Sequence, residues 1–234
     1  MIEEIDFETF LYVSNEKYQV SVFDKKKLKN LYNEELKFDY KFNSLDLNNL
    51  TKFLDENIYK IEKSVGDFVK NIILIIESDK NLNVNISIKK KLYDNFLSQK
   101  HLENNLIELK DLYKENYQDQ SIMHMIIINN TINDEKYSRF NNIVKGKNSF
   151  LEVNFISISN ELIISLNKNL EKYQIKVSQY MCGNYIKNFF DNDQNEISLK
   201  AHRLINGQNV NEVALIAKDI ENKGFFEKFF QLFS

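Results

Sequence analysis

Histidine, cysteine and closely spaced carboxylates are the side chains that most often carry chemistry, and in this sequence they stand apart. His101, His124 and His202 are far from one another and show no metal-ligand spacing. His124 sits inside the apolar run 122–128, where a core or interface histidine with its hydrogen bonds satisfied is expected. Cys182 is the one cysteine, which excludes an internal disulfide and any multi-cysteine metal site. The run Tyr180-Met181-Cys182-Gly183 suggests a nucleophile. No strand-to-helix elbow of the Gly-x-Ser-x-Gly kind surrounds it, and a small buried hydrophobe is the expected role. Gly66, Gly146, Gly183, Gly207 and Gly224 are scattered, so no single loop assembles a phosphate cradle. Acidic residues are plentiful, yet no pair has a spacing that marks it for acid–base work. The expectation is a chain that is not an enzyme, with no catalytic, metal-binding or cofactor-binding residue.

A different kind of function is written at the C-terminus. At roughly 100° per residue, Phe225, Phe226, Phe229, Phe230, Leu232 and Phe233 fall in one arc of about 160°. Glu227, Lys228, Gln231 and Ser234 fill the opposite arc, and Gly224 separates the stripe from the polar residues 219–223. Such an apolar face must be buried against a membrane surface, a partner protein or the chain's own core. Glu221 and Glu227 offset Lys223 and Lys228, so membrane binding through this stripe is expected to be weak, hydrophobic and insensitive to salt.

The rest of the composition is that of a folded globular protein. The chain has 234 residues, 43% of them hydrophobic and 28% charged, and a formal net charge of −3, which gives no case for nucleic acid. The acidic start at residues 1–6 is unlike a secretory signal, and the longest apolar run, 72–76, is far short of the roughly 20 residues of a membrane span. A cytoplasmic protein is expected. Proline and tryptophan are absent and arginine is reduced to Arg139 and Arg203, while lysine, asparagine and isoleucine abound. That pattern follows AT-rich codons, so the lysine runs 25–27 and 89–91 read as solvated faces.

Periodicity supplies the elements that would position these residues. Residues 10–13 and 18–24 are β-rich runs around 14–17 and suggest a hairpin. Leu45, Leu47, Leu50, Leu54, Ile58, Ile61 and Val65 recur at helical spacing, with Ser44 as a plausible N-cap. Residues 72–76 read as a buried strand, and Leu82, Val84, Ile86 and Ile88 as a half-buried one. Leu102, Leu106, Leu109, Leu112 and Tyr113 form a second helical stripe, followed by a strand at 122–128 and a turn at 129–134. Leu151, Val153, Phe155 and Ile158 lead from a strand into a helix with Leu162, Ile163, Leu166 and Leu170, and 175–177 is a short strand. Ile197, Ala201, Leu204 and Ile205 fit a helix closed by Gly207, although a hairpin about Asn206-Gly207 is an alternative. Residues 213–217 read as extended. Alternating strands and helices argue for α/β to α+β layers.

The strand–turn–strand start, the long helix, residues 117–124 and the run Leu151-Glu152-Val153-Asn154-Phe155-Ile156 together resemble FtsA, the bacterial cell-division relative of actin. The resemblance implies a partial actin-like (ribonuclease-H-like) half over residues 1–78 and 147–190, a strand-helix-strand subdomain inserted at 79–146, a short helix and strand extension at 191–223, and the amphipathic helix at 224–234. It also implies attachment to the inner membrane through that last helix. Two departures shape the functional expectation. The first phosphate loop of the family carries Asp and Gly between two strands, whereas the turn here is Ser14-Asn15-Glu16-Lys17. The second nucleotide-binding half has no room after Phe190. The expectation is a non-catalytic, membrane-associating adaptor in cell division or envelope assembly, peripheral on the inner membrane, with divisome-type protein partners. The alternative is a soluble interaction module whose phenylalanine helix docks into a partner or sister subunit.

Overall fold

The computed structural model describes residues 6–39, 45–92, 96–137 and 144–213. Among these residues the order is β1 (Phe7–Val13), β2 (Lys17–Asp24), β3 (Lys29–Lys37), α1 (Leu47–Val65), β4 (Asn71–Ile76), β5 (Leu82–Lys91), β6 (Phe96–Leu97), α2 (Gln99–Asn116), β7 (Gln120–Ile132), β8 (Glu135–Lys136), β9 (Val144–Lys145), β10 (Asn148–Ser159), α3 (Asn160–Glu171), β11 (Lys176–Cys182), α4 (Gly183–Phe189) and α5 (Ile197–Ile205). The chain divides into two compact units. Among the described residues, one joins 6–81 with Ser159–Gln208, and the other joins Leu82–Ile158 with 209–213.

The first unit is built on a mixed sheet in the order β11-β4-β1-β2-β3. β1, β2 and β3 form an antiparallel meander, while β4 runs parallel to β1 and β11 parallel to β4. Ile72 to Ile76 are all buried, as a strand with parallel neighbours and both faces covered requires. Side chains alternate across the strands, which sorts the core into two halves. Phe10, Tyr12, Phe23, Ile73, Ile75 and Met181 share one face, packed on Ile186 and Phe190 of the α4 segment and Ala201 and Leu204 of α5. Leu11, Val13, Val20, Val22, Leu74 and Ile76 point the other way and are buried, as are Leu50, Leu54, Ile58 and Ile61 of α1 and Leu166 and Leu170 of α3.

Polar side chains fix how these helices sit. The Asn169 Nδ2 donates to Thr51 Oγ1 at 2.9 Å and to the Leu47 carbonyl at 3.1 Å. Just past the end of α3, the Tyr173 hydroxyl donates to Asp55 Oδ1 of α1 at 2.7 Å. On the opposite face His202 Nδ1 lies 2.8 Å from Glu8 Oε2 and the Ser198 hydroxyl donates to Asn30 Oδ1 at 2.9 Å, which seats α5 on the sheet. α1 starts at Asp46, whose carboxylate accepts from the amides of Asn48 and Asn49 at 3.0 and 3.1 Å. It ends at Gly66, whose φ of 74° is the left-handed turn a glycine takes most easily.

The second unit carries a sheet in the order β5-β10-β7-β8 with α2 on one face. Leu106, Leu109 and Tyr113 of α2 pack on Met125, Leu151, Val153 and Phe155, with Val84, Ile86 and Ile88 closing the edge. The Tyr113 ring stacks on Phe155 at 4.7 Å between centroids, and its hydroxyl lies 2.5 Å from Ser157 Oγ. β5 alternates between half-buried and exposed along its whole length, the mark of a sheet covered on one side. After α5 the chain adds to the edge of β7: Ile127 donates to the Asn211 carbonyl at 2.9 Å and Val213 to the Met125 carbonyl at 2.8 Å.

Several boundaries differ from those read in the sequence. The helix cap is Asp46, and Ser44 lies outside the described residues. β3 carries Glu34, Glu35, Lys29 and Lys37 and is exposed along most of its length; an edge strand needs no apolar alternation, so no signal announced it. β7 continues through Asn129 and Asn130 to Ile132, and the turn falls at Asn133 and Asp134, which take positive φ. The strand with Leu151, Val153 and Phe155 pairs with β5 from Asn148↔Lys91 to Ser157↔Leu82 and so belongs to the second sheet. One continuous twelve-residue strand cannot rejoin the first sheet at residue 147, and the interruption there runs on to Ile158. The last strand reaches Cys182 and is followed by α4. The helix over Ile197–Ile205 forms with Gly207 at φ 80° after it, rather than a hairpin.

Replacing Asp46 by Ala should lower stability by about 1 kcal/mol, the usual worth of an N-cap, and Asp46→Asn should retain most of it. Urea unfolding of both variants beside the parent measures the difference.

Candidate functional site

Open sheets with parallel strands bind ligands where the strands' carboxyl ends meet. In the first unit those ends are level: Val13 of β1 and Cys182 of β11 both pair with Ile76 of β4. The residues just at or beyond them are therefore brought together from three distant parts of the chain. Tyr12 comes from β1, Glu77 follows β4, and Lys187 lies one turn into α4.

These three make one cluster. The Tyr12 hydroxyl donates to Glu77 Oε2, and the Lys187 ammonium lies 2.5 Å from the same oxygen. Lys187 Nζ also donates to the Tyr12 hydroxyl at 3.0 Å. The ammonium groups of Lys17 and Lys187 stand 5.4 and 5.3 Å from the centre of the Tyr12 ring, within cation–π range. Burial, reinforced by the hydrogen bond to the Glu77 carboxylate, pushes the Tyr12 hydroxyl far above the ordinary tyrosine range. Tyr12 is thus held as a neutral donor, and Lys187 has its charge directed at Glu77. Gly183 makes the arrangement possible, because a Cβ there would sit 2.9 Å from the Glu77 Cβ and 3.3 Å from its Cα. A larger residue would push the start of α4 away from the end of β4.

The β1–β2 turn closes on itself. The Ser14 hydroxyl accepts from the amides of Glu16 and Lys17 at 3.2 and 3.0 Å and donates to the Lys17 carbonyl at 3.0 Å. The Ser14 amide donates to that same carbonyl at 3.0 Å. The two N–H groups that a phosphate would need from this turn are therefore spent on a side chain of the turn itself. Beside it lies an open pocket of about 370 Å³, lined by Tyr12, Ser14, Lys17, Lys37 and Lys187 among others. The lysines there face carboxylates: Lys17 and Lys37 both pair with Glu35, at 3.1 and 2.8 Å.

Cys182 sits at the same strand end. Its sulfur accepts from Asn81 Nδ2 at 3.4 Å, yet burial holds the thiol above its ordinary range. A thiol kept protonated is a poor nucleophile. The histidines are dispersed: His101 caps α2 with its Nδ1 2.8 Å from Ser98 Oγ, His124 Nδ1 lies 2.6 Å from Glu212 Oε1 in the second unit, and His202 serves α5. Among the described residues no three His, Cys, Asp or Glu side chains group as a metal site, and no helix is long and apolar enough to cross a membrane. Phe225, Phe226, Phe229, Phe230, Leu232 and Phe233 lie outside the described residues. Sequence reading missed Tyr12, Glu77 and Lys187. Each is ordinary in its own segment, and the strand order that unites them is the signal.

No protein-family model matches this chain, and no curated protein does. Solved structures similar to it include the cytoplasmic domain of EpsL, an inner membrane component of the type II secretion system of Vibrio cholerae, at 9% identity and TM-score 0.36, covering 76% of this chain and 57% of that one. The PilM-PilN type IV pilus biogenesis complex is similar at 8% identity and TM-score 0.45, over 78% of this chain and 49% of that one. A Bacteroides thetaiotaomicron protein with an actin-like ATPase fold and unknown function is similar at 14% identity and TM-score 0.31, over 81% of this chain and 58% of that one. The chain spans less than two thirds of the length of each.

Several tyrosines of the first unit titrate late. Tyr12 and Tyr173 are raised and Tyr18 is pushed up to about 12, in each case chiefly by burial. An unfolded tyrosine loses its proton near pH 10 while these remain protonated in the folded chain, so the unfolded state binds fewer protons above that pH. Their contribution is complete below about pH 10 and falls as pH rises toward 12. Urea midpoints should drop steeply across that window, and the double variant Tyr12→Phe with Tyr18→Phe should flatten the drop.

Proposed function

We propose that this chain is a non-catalytic adaptor built on one half of an actin-like fold, working at an inner-membrane surface in envelope assembly or cell division. The arrangement of the first unit supports the actin-like part. An antiparallel meander feeds two parallel strands, a long insertion interrupts the sheet, and a helix and strand complete it. In this reading the first unit is the actin-like half, with the insertion running over Leu82–Ile158.

The observation that carries the non-catalytic reading is the self-closed turn at 14–17. An actin-like half that handled nucleotide would offer main-chain N–H groups there. Here the Ser14 hydroxyl takes two of them, and the Glu77 carboxylate, neighbour of the Tyr12 hydroxyl, would repel a phosphate. The sheet end is then a rigid polar cluster that holds β1, β4 and α4 in place. Membrane attachment rests on the stripe from Phe225 to Phe233: burying a phenylalanine fully contributes roughly 1.5–3 kcal/mol, and six large apolar groups can outweigh the ordering of about ten residues.

Calorimetric titration of the full chain with magnesium and ATP should give no binding heat; affinity in the micromolar range would overturn the reading of the turn. The intact chain should sediment with liposomes at low and high salt, and a chain cut after Lys223 should stay in solution. Equal sedimentation of the two would remove the tether. A complex that forms without lipid and is lost on Phe229→Asp would instead favour docking of the stripe into a partner.

A further inference from the structure

The four-stranded sheet of the second unit ends in a long edge. β5 runs for ten residues, Leu82–Lys91, and among the described residues it pairs with β10 alone. Its ladder to β10 is continuous from Asn148↔Lys91 to Ser157↔Leu82 and holds no bulge. An edge strand usually carries a guard against further pairing: a bulge, a proline or charges spread along it. β3, at the edge of the first unit's sheet, has a bulge beside Val22 and charges at Lys29, Glu34, Glu35 and Lys37. β5 carries no charge from Leu82 to Ile88, and its lysines stand together at one end, 89–91.

Alternation tells which main-chain groups line that edge. The Leu92 amide donates to the Lys147 carbonyl at 2.7 Å, so the even-numbered residues of β5 turn their main chain toward β10. Asn83, Asn85, Ser87 and Lys89 therefore turn their N–H and C=O outward in one regular row. The side chains of Val84, Ile86 and Ile88 lie on the face that α2 covers, where they remain half-buried. A strand added at this edge meets main-chain donors and acceptors along its length and an apolar strip on one face.

Charge tells what that strand is. α2 crosses the sheet in the direction opposite to β5. Glu108 of α2 pairs with Lys90 near one end of the strand, and the Tyr113 ring stacks on Phe155, which stands opposite Val84 near the other end. Glu108, Leu112 and Glu115 follow one another at helical spacing and share the flank of α2 above the edge. Leu112 is 42% exposed there, and Asp111 joins the two glutamates around an open groove of about 380 Å³. The edge is thus basic at its Lys89–Lys91 end, while the helix flank above its Leu82 end is acidic. A second copy laid antiparallel brings each basic end beneath the other's acidic flank, so the edge is complementary to itself.

We propose that two copies of this chain associate through β5, paired antiparallel about a two-fold axis, so that their sheets join into one. Outward-facing groups meet only where odd-numbered residues face odd-numbered ones. The register that uses the whole strand places Ile86 opposite the partner's Ile86, Val84 opposite the partner's Ile88 and Leu82 opposite the partner's Lys90. On the other face Asn85 opposes the partner's Ser87, and Asn83 opposes the partner's Lys89. No like charges are opposed, and each Lys90 reaches the acidic turn at Asp111 to Glu115 of the other copy's helix. Main-chain bonds supply the attachment and the lysines set the register. Such a dimer goes beyond the adaptor reading and forms whether or not that reading holds.

Sedimentation equilibrium of the full chain, in a concentration series up to about 0.1 mM, tests it and should show a reversible species of twice the chain's mass. Ser87→Pro removes an outward N–H that the chain's own ladder does not use, so it should raise the dimer Kd at least about tenfold. Glu115→Lys should raise it about fivefold, and less at high salt. Ile86→Cys fixes the register independently of either variant. Residues directly opposed in a pair without hydrogen bonds have Cα atoms about 4.5 Å apart, close enough for a disulfide. Mild oxidation should therefore link two chains through Ile86→Cys and not through Val84→Cys, and the parent should not link, because Cys182 is buried. A chain that stays monomeric throughout the series overturns the proposal. So does a dimer that tolerates Ser87→Pro or links equally through both cysteine variants; if Ser87→Pro does not fold, the cross-links and Glu115→Lys decide.

Discussion

Beyond its first residue, β4 has no surface of its own. Its residues Ile72 to Ile76 are buried, and it pairs in parallel with β1 on one side and β11 on the other, so its place depends on strands supplied from far along the chain. Parallel neighbours cannot be joined by a tight turn. α1 makes the first crossover, and the second is interrupted by Leu82–Ile158 of the second unit before α3 and β11 arrive. Two of the ladders that hold the central strand are therefore non-local, and the helices that cover the sheet are fixed only once both are in register. The hydrogen bonds of Asn169 and Tyr173 across to α1 belong to this closure, because they join the helix made before the insertion to the one made after it.

The same constraint decides what can happen at the strand ends. When three strands finish level, whatever follows them is crowded together. Glu77 and Gly183 are so close that only a glycine leaves room, and Tyr12 and Lys187 converge on the carboxylate from either side. Lys187 is about half exposed, so solvent screens its pairing and the cluster's value lies more in geometry than in energy. It fixes the direction in which α4 leaves β11, and α4 with α5 forms the cover over Phe10, Phe23 and Ile75.

Much of this was legible in the sequence because burial imposes periodicity. The α1 stripe from Leu50 to Ile61, the unbroken apolar run of β4 and the alternation of β5 each report one buried face or two in the residue pattern itself. β3 was not, because an edge strand with charged side chains satisfies its backbone on one side only and carries no apolar pattern. The membership of β10 was not, because a strand's sequence says that it pairs but not with what; its partner β5 is some sixty residues earlier. Tyr12, Glu77 and Lys187 were invisible for the same reason. Their meeting is a property of strand order, and nothing local distinguishes Tyr12 from the other aromatic residues of β1 or Lys187 from other surface lysines.

The two ends of the first sheet differ in how fully they satisfy themselves. At the carboxyl end the polar groups are accounted for: the Ser14 hydroxyl serves its own turn, Glu77 has a hydroxyl and an ammonium, and Asn81 reaches Cys182. At the amino end the ladder stops short and the Thr9 hydroxyl is left alone. Electrostatics usually favours the reverse, since crossover helices begin at the carboxyl ends of the strands and present their N–H groups there. α4 does begin there, but it is only seven residues long, and its first residue, Gly183, lies against the Glu77 backbone and side chain. The two ends of one sheet therefore differ in kind: the carboxyl end is closed by its own side chains, and the amino end keeps a hydroxyl walled off from water without a partner.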